Sequence, residues 1–179
     1  MKRMLLLLIA SGMIIAMGTS CKGSYGKKVK EPFVGSSYES NKNYFRSVGK
    51  GQSEKENIAS GKADIDAKRE MAGQVNTTIK TVVDQYMGET ENLNSSDIAE
   101  KFQSLAREAM ATDLYDLRKI GEKKYYDGNT YTVFIAYEIH KKQMFKFMKQ
   151  QAKADKKLNE AERKKIEEMI DKQLEELED

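Results

Sequence analysis

Apolar residues recur at threes and fours between Ser53 and about Met87, where Ile58, Ile65, Ala72, Val75, Ile79, Val82, Val83 and Tyr86 form one helical stripe. Beside it runs a second line at fours, Ala59, Ala63 and Ala67 and then Met71, whose small side chains let a helix lie close on a sheet. The spacing predicts one long helix. Ser53 and Glu56 have the form of a capping box at its start, and Gly88 is its natural stop. After a polar loop at 89–97, Ile98, Phe102, Leu105, Ala109, Met110, Leu114 and Leu117 repeat the helical period, although a strand can also be drawn through part of that segment.

Further along, the period drops to two. Tyr131, Val133, Ile135, Tyr137 and Ile139 fall on alternate positions, and Arg118–Tyr126 is also strand-like. Asp127-Gly128-Asn129 between the two runs predicts a hairpin. Upstream, Tyr44-Phe45-Arg46-Ser47-Val48 reads as a strand ending at Gly49. From Lys141 to the end the pattern is helical and heavily charged, with Met144, Phe145 and Met148 placed to pack on the sheet. Leu158, Ile166, Met169, Ile170, Leu174 and Leu177 follow as a narrow apolar stripe, which suits either a helix docked on its own domain or a coiled-coil partner helix.

The first twenty residues stand apart. Lys2 and Arg3 precede an apolar run, Met4 to Ile9 and Met13 to Met17, and Gly18-Thr19-Ser20 are small. This is the order of a secretory signal peptide over 1–20. The alternative, a membrane span, needs about 20 continuous apolar residues, and Ser11 and Gly12 interrupt this run. Cys21, the only cysteine of the 179 residues, follows directly. It has no disulfide partner in the chain, so it is either a reactive thiol or chemically consumed. Gly18-Thr19-Ser20-Cys21 resembles the lipobox of bacterial lipoproteins, with Gly18 where leucine is commonest. That resemblance implies diacylglycerol on the Cys21 sulfur, and two or more acyl chains anchor a protein stably. Lys22-Gly23-Ser24 has neither the aspartate of inner-membrane retention nor an acidic surface-display cluster. The expectation is an outer-membrane anchor facing the periplasm. Residues 21–42, rich in Gly, Ser, Lys and Asn and holding the only proline, Pro32, read as the lipidated cysteine and a flexible tether.

Charge excludes one function class. The formal net charge is +3, but removing Lys2 and Arg3 leaves 29 basic against 28 acidic residues, so nothing points to nucleic acid. Candidate chemistry is thin. The single histidine, His140, cannot build a zinc site without cysteines, and no Gly-x-Ser-x-Gly turn accompanies it. Gly49-Lys50-Gly51 lies between a strand and a helix, as phosphate loops do, but the third glycine of a dinucleotide fingerprint is missing and Glu54 and Glu56 would repel phosphate. Its glycines read as positive-φ positions of a tight turn, and neither nucleotide nor any other cofactor is expected.

Taken in order, the lipobox, the short tether, the strand YFRSVGKGQS, the helix with spaced alanines (Ile58-Ala59, Ala63, Ala67, Met71-Ala72-Gly73) and the hairpin YYDGNTYTVFIAYEI resemble the LPP-twenty family of small bacterial lipoproteins. The order is also similar to the N-terminal domain of the flagellar-motor protein FlgT. The resemblance covers about Tyr44 to Ile139 and implies an α+β domain over 43–140, one long helix packed on a small antiparallel sheet, with 98–117 extended and paired in that sheet. The charged amphipathic tail 141–179 has no counterpart. No enzymatic activity is implied. The leading expectation is a non-enzymatic, lipid-anchored envelope protein that contacts another envelope protein, or itself, through the C-terminal helix. An alternative is a carrier or sensor of a small ligand held between helix and sheet near Tyr44, Tyr86, Tyr126 and Tyr137. A third, an envelope hydrolase, has only His140 and scattered carboxylates behind it.

Overall fold

The central strand of the fold is the one whose composition best suits burial on both faces. In the computed structural model, which describes residues 30–89, 95–111 and 117–178, β3 (Tyr131–His140) lies between β1 (Tyr44–Ser53) and β2 (Arg118–Tyr126) in an antiparallel sheet of three strands. The hairpin reads as expected. Asp127 Oδ1 accepts from the Asn129 and Thr130 amides, at 2.9 and 2.8 Å, and Gly128 takes φ 96°. A bulge interrupts the β2 register between Lys119 and Gly121.

The long helix, α1 (Glu56–Glu89, 34 residues), lies on one face of this sheet. Ala59, Ala63, Ala67, Met71, Val75, Ile79, Val82 and Val83 are its buried residues. The line of small residues faces the sheet, while Ile58 and Ile65, expected on the core stripe, are 43% and 68% exposed on the opposite side. Gly49 and Gly51 supply the reason. Both belong to β1, which runs on to Ser53 instead of ending at Gly49, and neither has positive φ. A Cβ on Gly49 would lie closer than 3.0 Å to Ala63 O, to Ala67 N and, at 2.8 Å, to Ala67 Cβ. The glycines therefore do not turn the chain. They and the alanines allow backbone to approach backbone, and that contact fixes how α1 is rolled.

Two readings of the ends of α1 are also corrected. Ser53 Oγ accepts from Lys55 N at 3.3 Å, whereas the Glu56 carboxylate pairs with Lys124 at 2.7 Å, so no reciprocal capping box forms there. Such a box closes the last helix instead, where Asn159 Oδ1 accepts from Glu162 N and a Glu162 carboxylate oxygen from Asn159 N, at 3.0 and 3.1 Å. Gly88 lies inside α1, not after it.

The segment read as helix or strand is helix: α2 (Ser95–Ala111) buries Ile98, Phe102, Leu105 and Ala109, and the paired extended form implied by the resemblance does not occur there. Leu114 lies outside the described residues. The charged C-terminal extension is a helical pair, α3 (Lys141–Ala154) and α4 (Glu160–Glu178). Met144, Phe145 and Met148 of α3 and Ile166, Met169 and Ile170 of α4 join the same core. Arg163 ties the pair together by donating to the carbonyls of Ala152, Asp155 and Leu158, at 3.1–3.3 Å. The fold is thus α+β, with the long helix on an antiparallel sheet and the charged helical extension packed back on it.

Candidate functional site

The signal segment 1–20 and Cys21 lie outside the described residues. The folded unit begins at Glu31, so residues 31–42, read as tether, belong to it. They cross the outer face of the sheet, opposite α1. Strand alternation puts Arg46, Val48, Lys50, Phe134, Ala136 and Glu138 on that face. Glu31 pairs with Lys50 at 2.8 Å, and the Phe33 ring occupies the space that a Cβ on Gly121 would need. Phe33 sits at φ 60°, a conformation an L-residue keeps only when its surroundings hold it there.

The clip that holds this strap is ionic. Glu138, only 6% exposed, accepts Arg46 Nε at 3.0 Å on one oxygen and Arg118 Nε at 3.1 Å on the other. Burial pushes the Glu138 carboxyl up, but hydrogen bonds from Arg118 and Arg46 outweigh it and hold the group below the usual carboxylate range. The free end of the Arg46 guanidinium donates to the Ser36 and Glu39 carbonyls, at 3.4 and 3.3 Å. One buried carboxylate thus orients an arginine that in turn fixes the strap. A glutamate facing outward in the otherwise apolar strand YTVFIAYEIH was the available sequence signal, as was the lone Phe33 in a polar stretch.

The two open edges of the sheet differ. Along β1 several outward backbone groups are occupied. Arg46 N donates to Ser40 Oγ at 2.8 Å, and Arg46 O accepts from Gln74 Nε2 at 2.8 Å. Lys50 N donates to Asp66 at 3.1 Å and Gln52 O accepts from Lys62 at 3.0 Å. β2 instead carries Lys119, Lys123 and Lys124, charges that discourage addition of another strand.

The structure does not gather the candidate ligand-binding tyrosines. Tyr44 packs edge-on against His140 with ring centroids 4.9 Å apart, on the outer face. Tyr86 lies near the far end of α1, in a cleft of about 200 Å³ shared with Met169, Lys165 and Lys172 of α4. Tyr126 stacks on Tyr131 at the hairpin tip. Tyr137 faces α1, and its hydroxyl donates to Asp64 at 2.6 Å. Burial, with the Asp64 carboxylate beside it, pushes the Tyr137 phenol up to about 12. Asp64 is held low, because the bonds from Tyr137 and Lys68 outweigh its own burial. The glycine–alanine contact lies between helix and sheet, where the alternative reading places a small ligand.

His140 ends β3, and its buried Nδ1 has no hydrogen-bond partner. Among the described residues, no group of three His, Cys, Asp or Glu side chains is placed to hold a metal ion, and no helix is long and apolar enough to cross a membrane. The chain matches no protein-family model, no curated protein and no solved structure.

Proposed function

We propose that this chain is a lipid-anchored, non-enzymatic cell-envelope protein, held at the outer membrane through acylated Cys21 and working by protein–protein contact on the periplasmic side. The observation that carries the reading is the position of Cys21: the only cysteine stands directly behind a charged start, an apolar run and three small residues. The non-enzymatic part rests on an inventory with one histidine and one cysteine. Membership of the LPP-twenty family belongs to the same proposal. The long helix on an antiparallel sheet supports it, and helix α2 at the place of an expected strand departs from it. The apolar stripe of α4 is occupied inside its own fold, so contact with an envelope protein or a second copy through this helix uses its charged outer face, around Glu160, Lys164, Glu168 and Glu175.

Metabolic labelling with an alkyne fatty acid tests the anchor. The wild-type chain takes up label and fractionates with the outer membrane, and Cys21→Ser loses both. Equal labelling of the two would overturn the reading. Lysine crosslinking in intact cells then identifies the contact, with one recurrent envelope protein or a second copy joined through α4 as the expected result. Links scattered over many unrelated proteins would refute specific contact.

A further inference from the structure

The Tyr125–Tyr126 end of the sheet is where the anchored chain enters the fold. Glu31 is paired with Lys50, which lies opposite Phe134, three positions from the start of β3. From there the strap runs away from the hairpin, past Gly121 to Arg46 near the other end. Cys21 and Glu31 are ten residues apart in the chain, a reach of at most about 36 Å when fully extended. Tyr125 and Tyr126 project at that hairpin end, 49% and 57% exposed, among the exposed large hydrophobic side chains of the described residues. Their geometry is preset. Tyr126 stacks on Tyr131 with centroids 4.4 Å apart and donates to Gly128 O at 2.7 Å, and Tyr125 packs edge-on against Phe134. Tyrosine, with an apolar ring and a polar tip, is enriched where a membrane meets water.

From this juxtaposition we propose that the β2–β3 hairpin tip is a membrane-contact surface that seats Tyr125 and Tyr126 in the interfacial layer of the bilayer carrying the anchor. The lysines at this end are largely spent within the fold: Lys50 on Glu31, Lys124 on Glu56 and Glu122. The contact is therefore one of aromatic rings with the lipid interface. Lys22, Lys27, Lys28 and Lys30 follow Cys21 in the sequence, and basic charge next to a lipid anchor favours an anionic leaflet. The far end of α1, at Met87, points away from the bilayer, since a helix of 34 residues is about 50 Å long.

This inference rests on the anchoring reading, and the test separates the two. The chain contains no tryptophan, so one introduced indole reports alone. The full lipidated chain carrying Y126W, and separately M87W, is reconstituted into phosphatidylcholine–phosphatidylglycerol vesicles. In Y126W, brominated lipids quench the indole, its emission shifts to the blue and iodide quenching falls on vesicle binding. M87W shows none of these changes. Y125W gives the same result by an adjacent ring if Y126W disturbs the fold. Vesicle-bound protein whose Y126W indole responds like that of M87W overturns the tip contact and leaves the anchor intact. A chain that does not stay with vesicles overturns the anchor, and the tip contact with it.

Discussion

Replacing Gly49 with alanine adds one methyl group at the closest approach of helix to sheet. That carbon would have to retreat by more than 1 Å from Ala63 O to reach the 3.4 Å of ordinary contact, and it meets Ala67 N and Ala67 Cβ as well. Two of the three atoms are backbone, so no side-chain rotation relieves the clash. The strand would have to bend away from β3, or α1 would have to lift and uncover Ala63, Ala67 and their neighbours. Overpacking of this kind costs about 1–3 kcal/mol and occasionally more. Alanine's advantage over glycine in a strand returns only about 0.5–1 kcal/mol. A net loss of up to about 2.5 kcal/mol is expected, or up to roughly 10 °C in Tm for a unit of this size. Urea and thermal unfolding followed by helical circular dichroism measure it. Gly61 is the control, since a Cβ there meets nothing within 4 Å on the solvent side of α1. Gly61→Ala should stabilise by about 0.5–1 kcal/mol. Opposite signs for the two substitutions are the expected outcome. If Gly49→Ala were neutral or stabilising, or if Ala67→Gly fully restored it, backbone approach would not be what sets the helix position.

Glu138→Gln leaves the partly buried Arg46 beside a neutral partner and should cost about 3 kcal/mol at neutral pH. The folded carboxyl titrates below its unfolded value of 4.5, so this contribution is complete above that pH and is lost as pH falls through the folded value. The gap between variant and wild type should therefore narrow in acid unfolding, and a constant gap would refute the ion-pair reading. Tyr137→Phe removes the bond to Asp64 and should cost about 1 kcal/mol. In the wild type one phenol should stay protonated until about pH 12, and its stabilising contribution, complete below pH 10, should fade across that interval. The same ultraviolet titration of Y137F should lack that late step. Phe33→Ala uncovers Gly121 and should cost about 1–2 kcal/mol for a half-buried ring. Limited proteolysis should then cut within 31–42 before the sheet unfolds, and an unchanged pattern would show that the strap is held without its aromatic contact.

Elements whose cause is local were legible without a structure. The β2–β3 hairpin follows from alternation and from Asp127-Gly128-Asn129, whose bonds span three residues. The long helix follows from its period, and the affinity of the alanine line for a sheet from side-chain size alone. What needed the tertiary structure was every choice between two acceptable local answers. Ile58–Ile65 and Ala59–Ala63–Ala67 are both valid helix faces, and the more apolar one lost because β1 presents glycines, which only a small-residue face can approach. The same glycines read locally as a turn, because a strand can tolerate glycine usefully only when another backbone lies against it. Residues 31–42 have the composition of a linker, yet the Ser36 and Glu39 carbonyls find Arg46 on the next strand and Phe33 finds Gly121 on a strand much later in the chain. The α4 stripe suits a helix on its own domain or a partner helix, and in the folded chain Ile166, Met169 and Ile170 join the core of its own domain. Cys21 is the opposite case. Its significance lies in its place after an apolar run, which is linear information that folding does not change.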